Sequence, residues 1–172
     1  MAGTAISDIM EATKLAKGGV YGNFESKDEI CLESFNYLTK SLGAAINQSM
    51  EGKVTAKEKL FALLDFYKGR LSKSSNGGCP ILNFGTEADD TNPVIKQRVK
   101  EAINSSQNRI ASVVKQGIKD GEFKGSFDAE MFAVKMFTMI EGAILISRVQ
   151  STTTHMDLIV GMLTAEIEQN SK

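Results

Sequence analysis

Thr4 to Ile30 reads TAISDIMEATKLAKGGVYGNFESKDEI, and its apolar residues fall into two short helical clusters. Ile6, Ile9 and Met10 stand at i, i+3, i+4, and Val20, Tyr21 and Phe24 at i, i+1, i+4, so each set can share one face of a helix. Helices this short are not stable alone, because nucleation is costly and few backbone bonds repay it. They must therefore bury those faces against each other and against a neighbour. The polar segment Glu11–Ala16 between them has the length of a helix-turn-helix corner, with Leu15 as its expected apolar plug. Lys17-Gly18-Gly19 then opens the second helix. Two glycines there clear the approach to the backbone, and the free N–H groups of a helix start favour phosphate. Such an arrangement can present a short helix to the DNA major groove.

Ile6-x-Asp8-Ile9, Lys17-Gly18-Gly19-Val20-Tyr21-x-x-Phe24 and Ser26-Lys27-Asp28-Glu29-Ile30 together resemble the DNA-binding segment of the tetracycline-repressor (TetR) family of bacterial regulators. The resemblance implies an all-α homodimer that binds a palindromic operator and releases it when a small molecule enters the C-terminal domain. By position, it implies that Thr4 caps the first helix of the motif and touches phosphate. Lys17, Gly18, Gly19, Tyr21 and Asn23 would lie at the groove, and Lys27 would hold the DNA backbone. Two positions depart from the family: Lys14 stands where a turn glycine is usual, and Asn23 where histidine is usual before the phenylalanine. Lys14 must then turn left-handed at some cost or accept another turn.

The family also carries a full amphipathic helix before this motif, whereas Met1 stands three residues ahead of Thr4. The expectation is a head lacking most of that first helix, with Ile9, Val20 and Phe24 short of a packing partner. Charge agrees: residues 1–30 hold three lysines against five acids, a net of minus two, whereas phosphate binding favours a basic excess.

The whole chain has 172 residues, is 42% hydrophobic and has a net charge of minus one, enough for a small head and one substantial core. The expected division is 1–48 for the head and connecting helix, and 49–172 for ligand binding and dimerisation. No window reaches the roughly eighteen uninterrupted apolar residues of a membrane span, and no secretory leader is legible, so the expectation is a cytoplasmic protein without a membrane partner. Two cysteines, Cys31 and Cys79, make no disulfide framework, and a single histidine, His155, makes a zinc site unexpected. No cofactor is expected. Enzyme chemistry is not indicated either, because no phosphate loop, Gly-x-Ser-x-Gly or metal-ligand spacing occurs. The acidic group Glu87, Asp89 and Asp90 precedes a helix start, where acids cap and solvate.

Beyond the head, helices separated by short punctuation are expected at 27–49, 55–72, 80–88, 93–120, 131–149 and 154–169, with a loop at 72–78. The helix from Lys27 should turn Ile30, Leu38, Leu42 and Ile46 inward. Pro80 and Asn92-Pro93 mark helix starts, and Asp120-Gly121 a stop. The run from Met131 to Val149 is apolar on almost every side, so it should be buried on two sides. The second side is most simply a second copy. Leu158, Ile159, Met162, Leu163 and Ile167 are expected on one face of the last helix, giving a four-helix bundle across a two-fold axis. The expected dimer residues are Phe137, Ile140, Ile144, Leu158 and Met162; the alternative is a monomeric core helix. An apolar effector pocket is expected among Phe61, Leu64, Phe66, Leu82, Phe84, Val99, Ile103, Met136 and Met139, although Met and Phe at helical spacing more often pack a core. Cys79, at a helix start, reads either as a small packed residue or as a redox-sensitive thiol. A further alternative is a helical dimeric module that binds small molecules and has lost DNA binding.

Overall fold

A computed structural model describes residues 3–71 and 77–172. Its helices are α1 (Ile6–Thr13), α2 (Lys17–Tyr21), α3 (Lys27–Ser49), α4 (Ala56–Leu71), α5 (Pro80–Ala88), α6 (Pro93–Lys119), α7 (Ala129–Val149) and α8 (Thr154–Asn170). The described residues contain no strand, so the fold is all-α. Most of the expected loop at 72–78 lies outside the described residues.

Local chemistry fixes the helix starts. The Ser26 hydroxyl accepts the Glu29 N–H at 3.1 Å, Asn92 accepts from Ile95 at 3.0 Å and Asp128 from Met131 at 2.9 Å. Each satisfies one of the donors a helix start leaves open. The start of α4 is held from both sides. Thr55 and Glu58 cap each other reciprocally, while the Glu122 carboxylate, from beyond α6, accepts the N–H groups of Ala56 and Lys57 at 3.0 and 3.2 Å.

The segment between α6 and α7 turns inward rather than looping over the surface. Phe123 and Phe127 are buried, and with Phe132 they form a chain of edge-to-face rings 5.5 and 5.0 Å apart. Phe123 lies directly on Gly117, where a Cβ would come within 2.5 Å of the ring and 2.7 Å of Ala56 Cβ. Lys124 N–H donates to the Asn170 carbonyl and Lys172 N–H to that of Glu122, which ties the end of α8 to this joint.

One continuous core runs through α3 to α8. It includes Cys31, Phe35, Leu42 and Ile46 of α3, so the helix leading out of the head is also a wall of the C-terminal unit. Leu38 is an exception to the expected inward face, since it is exposed. In α8 the expected single face splits: Met156, Leu163 and Ile167 are fully buried, while Leu158 and Met162 point outward. A 3.6-residue repeat cannot bring both sets to one side when the helix is apolar on two. None of the described helices is long and apolar enough to cross a membrane.

Candidate nucleic-acid interface and effector cavity

The head is built on α1 and α2. Lys14 closes α1 in the left-handed conformation, φ 59° and ψ 22°, so the turn keeps the geometry a glycine would adopt at a cost of about 1 kcal/mol. Leu15 does not plug the corner. It is about half exposed and lies beside Gly19, 3.6 Å from where a Cβ would stand there. Thr4 does not cap α1 either. Ala5 holds the N-cap position without a side-chain bond, and the Asp8 carboxylate takes over by accepting the Ala5 N–H at 2.6 Å.

Only Val20 of α2 is buried, so the rest of this helix is free to meet another molecule. Lys17 Nζ sits 5.9 Å from the centre of the Tyr21 ring, a cation–π distance that groups the two on one exposed patch. Gly18 has open space where a side chain would be, leaving the backbone approachable. Asn23 instead turns its amide back onto α2, donating to the Gly19 carbonyl at 2.8 Å. Its position is therefore fixed by the helix end. Lys27 lies farther in, lining a 190 Å³ cavity with Asp28, Cys31, Phe84, Glu87 and Ile95, where α3 meets α5 and α6.

The nine expected pocket residues do not share one cavity. Leu64, Val99 and Met136 pack solidly in the core. Leu82, Ile103 and Met139 are part-buried against it, whereas Phe61 and Phe66 flank an open groove with Lys53, Glu58 and Asp65. Phe84 alone of the nine reaches the 190 Å³ cavity and a 320 Å³ groove with Leu38, Leu42, Arg70 and Asn83. A further space, 360 Å³ between α3 and α6, has a polar wall that includes Thr39, Ser105, Arg98 and Arg109.

Sequence reasoning passed over a buried polar pair. Glu141, in the middle of α7, is buried, and its Oε1 accepts the Cys79 thiol at 3.0 Å. Burial pushes the Glu141 carboxyl above the usual carboxylate range. Burial first, then the Glu141 charge, drives the Cys79 thiol up to about 12. Cys79 is thus a neutral donor, not the thiolate a redox-sensitive cysteine requires. Tyr67 is raised too, by its own burial and then by these two groups. An acid in the apolar middle of α7 was the available signal; its partner lies 62 residues away.

The outer side of α7 carries Met131, Val134, Leu145 and Val149, all exposed, and α8 adds Leu158 and Met162. Ile140 and Ile144, expected at a dimer contact, are buried in the subunit's own core, and Phe137 is part-buried. Gly142 and Gly161 have nothing within 4 Å of a built Cβ, so this face is also locally flat.

Residues 56–163 match the model of the tetracyclin repressor-like C-terminal domain. That match covers more than half of the chain. It belongs to the TetR family. A TetR transcriptional regulator from Chloroflexus aurantiacus J-10-FL is 36% identical and superimposes with a TM-score of 0.93 over 99% of this chain and 86% of that one. A TetR-family regulator from Cytophaga hutchinsonii is 31% identical, with a TM-score of 0.89 over 99% and 86%. An uncharacterized HTH-type transcriptional regulator of Mycobacterium tuberculosis is 29% identical over 98% of this chain and 88% of its own length. Like other TetR members, the chain is a ligand-responsive DNA-binding transcriptional regulator and not an enzyme.

Proposed function

We propose that the chain is a repressor that holds a palindromic operator as a homodimer and lets go when a small lipophilic molecule enters the C-terminal unit, residues 49–172. The observation that carries this reading is the pairing of an exposed reading helix with an unpartnered apolar face. Lys17 and Tyr21 stand together on α2, and Met131, Val134, Leu145, Val149, Leu158 and Met162 are exposed on α7 and α8. A single short helix reads too few bases to be specific, and a two-fold dimer supplies the second half-site about one DNA turn away. In this reading Lys17, Gly18 and Tyr21 meet phosphate and groove, Asn23 and Gly19 set base preference, and Lys27, at the start of α3, holds the DNA backbone. The DNA target places the protein in the cytoplasm.

The coupling route runs through α5. It packs on both α3 and α6, while α3 and α6 face each other mainly across a groove, bridged by a long hydrogen bond of 3.5 Å from Arg109 to the Gly43 carbonyl. A ligand that shifts α6 therefore moves α3, and with it the head, by way of α5. A coupling of about 1–3 kcal/mol changes operator occupancy several-fold or more.

The alternative outcome is a dimeric small-molecule-binding module without DNA binding. Selection of duplexes from a random pool at about 0.15 M salt, followed by mobility shift, separates the two. The repressor reading requires enrichment of one inverted repeat; no enrichment favours the second reading.

A further inference from the structure

We propose that the groove between α3 and α6 is the effector site, and that its ligand is an amphipathic anion, a carboxylate on an apolar chain, held at its charged end by Arg109. The inference rests on the ligand-responsive reading above and names the chemistry of the ligand.

The groove has a volume of 360 Å³, within the range of small-molecule sites, about 300–1,000 Å³. Its floor is apolar, lined by Phe35, Leu42 and Ile46 of α3 and Ile81 of α5, all buried. Its walls carry Lys40, Arg98 and Arg109 against one carboxylate, Glu101. Three cations and one acid leave the groove at plus two, on a chain whose net charge is minus one. The acid is already engaged. Glu101 accepts from Gln97 and Arg98, both at 3.1 Å, and these bonds hold its carboxyl below the usual range. Among the described residues, no carboxylate pairs with Lys40 or Arg109.

Arg109 is the more enclosed of the two, part-buried where Lys40 is exposed. It reaches from α6 to α3: Nη1 donates to the Gly43 carbonyl at 3.5 Å, and Nη2 lies 3.7 Å from where a Gly43 Cβ would stand. That single bond is at the limit of hydrogen-bond length and leaves most of the five guanidinium donors without a protein acceptor. A carboxylate meets such a fork with two parallel bonds. The neighbouring hydroxyls do not offer the same service. Thr39 donates to the Phe35 and Asn36 carbonyls and Ser106 to that of Ala102, so both spend their hydrogens inside their own helices.

The two surfaces together select the ligand. A small inorganic anion leaves the apolar floor uncovered, a neutral chain leaves the guanidinium without an acceptor, and an ammonium is repelled by the net positive charge. An amphipathic anion satisfies both, and it touches α3 and α6 at once, so its entry bears directly on the helix that leads to the head.

The test is calorimetric titration of the full chain with octanoate, 1-octanol, octylammonium and acetate. Octanoate is expected to bind at least about tenfold more tightly than octanol, the difference between a charge-assisted pair and a neutral hydroxyl, and more tightly than octylammonium or acetate. Arg109→Gln is expected to bring octanoate and octanol within about threefold of each other. Ser105→Trp, at an exposed position on the groove wall, is expected to weaken octanoate by about fivefold or more by filling the space. Saturating octanoate is expected to weaken the selected duplex by about fivefold or more. Equal binding of octanoate and octanol, preference for octylammonium, acetate binding as tightly as octanoate, no binding of any of the four, a preference that survives Arg109→Gln, or an unchanged duplex affinity would overturn the proposal. Should Arg109→Gln fail to fold, the ranking on the unaltered chain and Ser105→Trp decide. Mobility shift of the unliganded chain on its selected duplex separates failure of this inference from failure of the regulator reading.

Discussion

Replacing Leu158 and Met162 together by arginine should split the dimer and leave each subunit folded. The two side chains are 62% and 60% exposed, so the subunit's own core does not depend on them. Full burial of a Leu or Met side chain is worth about 1.5–3 kcal/mol, so the exposed three-fifths contributes about 1–2 kcal/mol on dimerisation. Two-fold symmetry doubles the pair, and four side chains give about 4–8 kcal/mol before any penalty for desolvating arginine. At about 1.4 kcal/mol per decade, the dimer dissociation constant should rise by roughly a thousandfold or more. Sedimentation equilibrium across a concentration series measures this, with far-ultraviolet circular dichroism to verify the fold. A rise below tenfold with unchanged dichroism would refute the assignment of this face. Ile144→Arg is the contrast: it places a charge in the core and should unfold the subunit instead.

Gly117→Ala should lose at least about 2 kcal/mol in urea unfolding, because its Cβ would stand 2.5 Å from the Phe123 ring and 2.7 Å from Ala56, both buried; a loss below 0.5 kcal/mol would mean the joint has room to relax. Glu141→Leu should stabilise the unliganded protein, and increasingly so as pH rises. Burial raises the carboxyl's pKa in the folded state, so its favourable contribution is complete below the ordinary carboxylate pKa and fades as pH climbs through the folded value. Melting temperatures of wild type and variant should therefore diverge from the ordinary carboxylate pKa upward, and a constant difference contradicts the assignment. Lys17→Ala should weaken binding to all duplexes alike and lower the salt slope by about one, whereas changes at Gly19 should shift which operator is preferred; quantitative mobility shift on matched and random duplexes distinguishes them.

The head was legible because its physics is local. Apolar residues that share a helical face on either side of a polar corner mark α1 and α2, although Phe24 falls beyond the end of α2, and the left-handed Lys14 is one of the two turns open to that corner. The capping was less legible: Thr4 resembles a cap residue, yet Asp8 performs that task through its carboxylate. In α7 the all-round apolarity was readable, but which side faces the subunit's own core was not. A helix with little contrast between faces has no direction to read, so Ile140 and Ile144 could be assigned outward while Met131, Val134, Leu145 and Val149 hold that side. Cavities are gaps left by packing, and no residue type announces them. Phe61 and Met136 look alike in the sequence, and one borders an open groove while the other is sealed in the core. The Glu141–Cys79 pair illustrates the same limit, because an isolated acid is visible in the chain and its distant partner is not.

The most direct measurement is the mass of the complex formed with the selected duplex, by sedimentation or light scattering, together with a hydroxyl-radical footprint. Two subunits on one duplex, protecting two patches about one helical turn apart, is the predicted result. One subunit per duplex, or a single protected patch, would contradict the account.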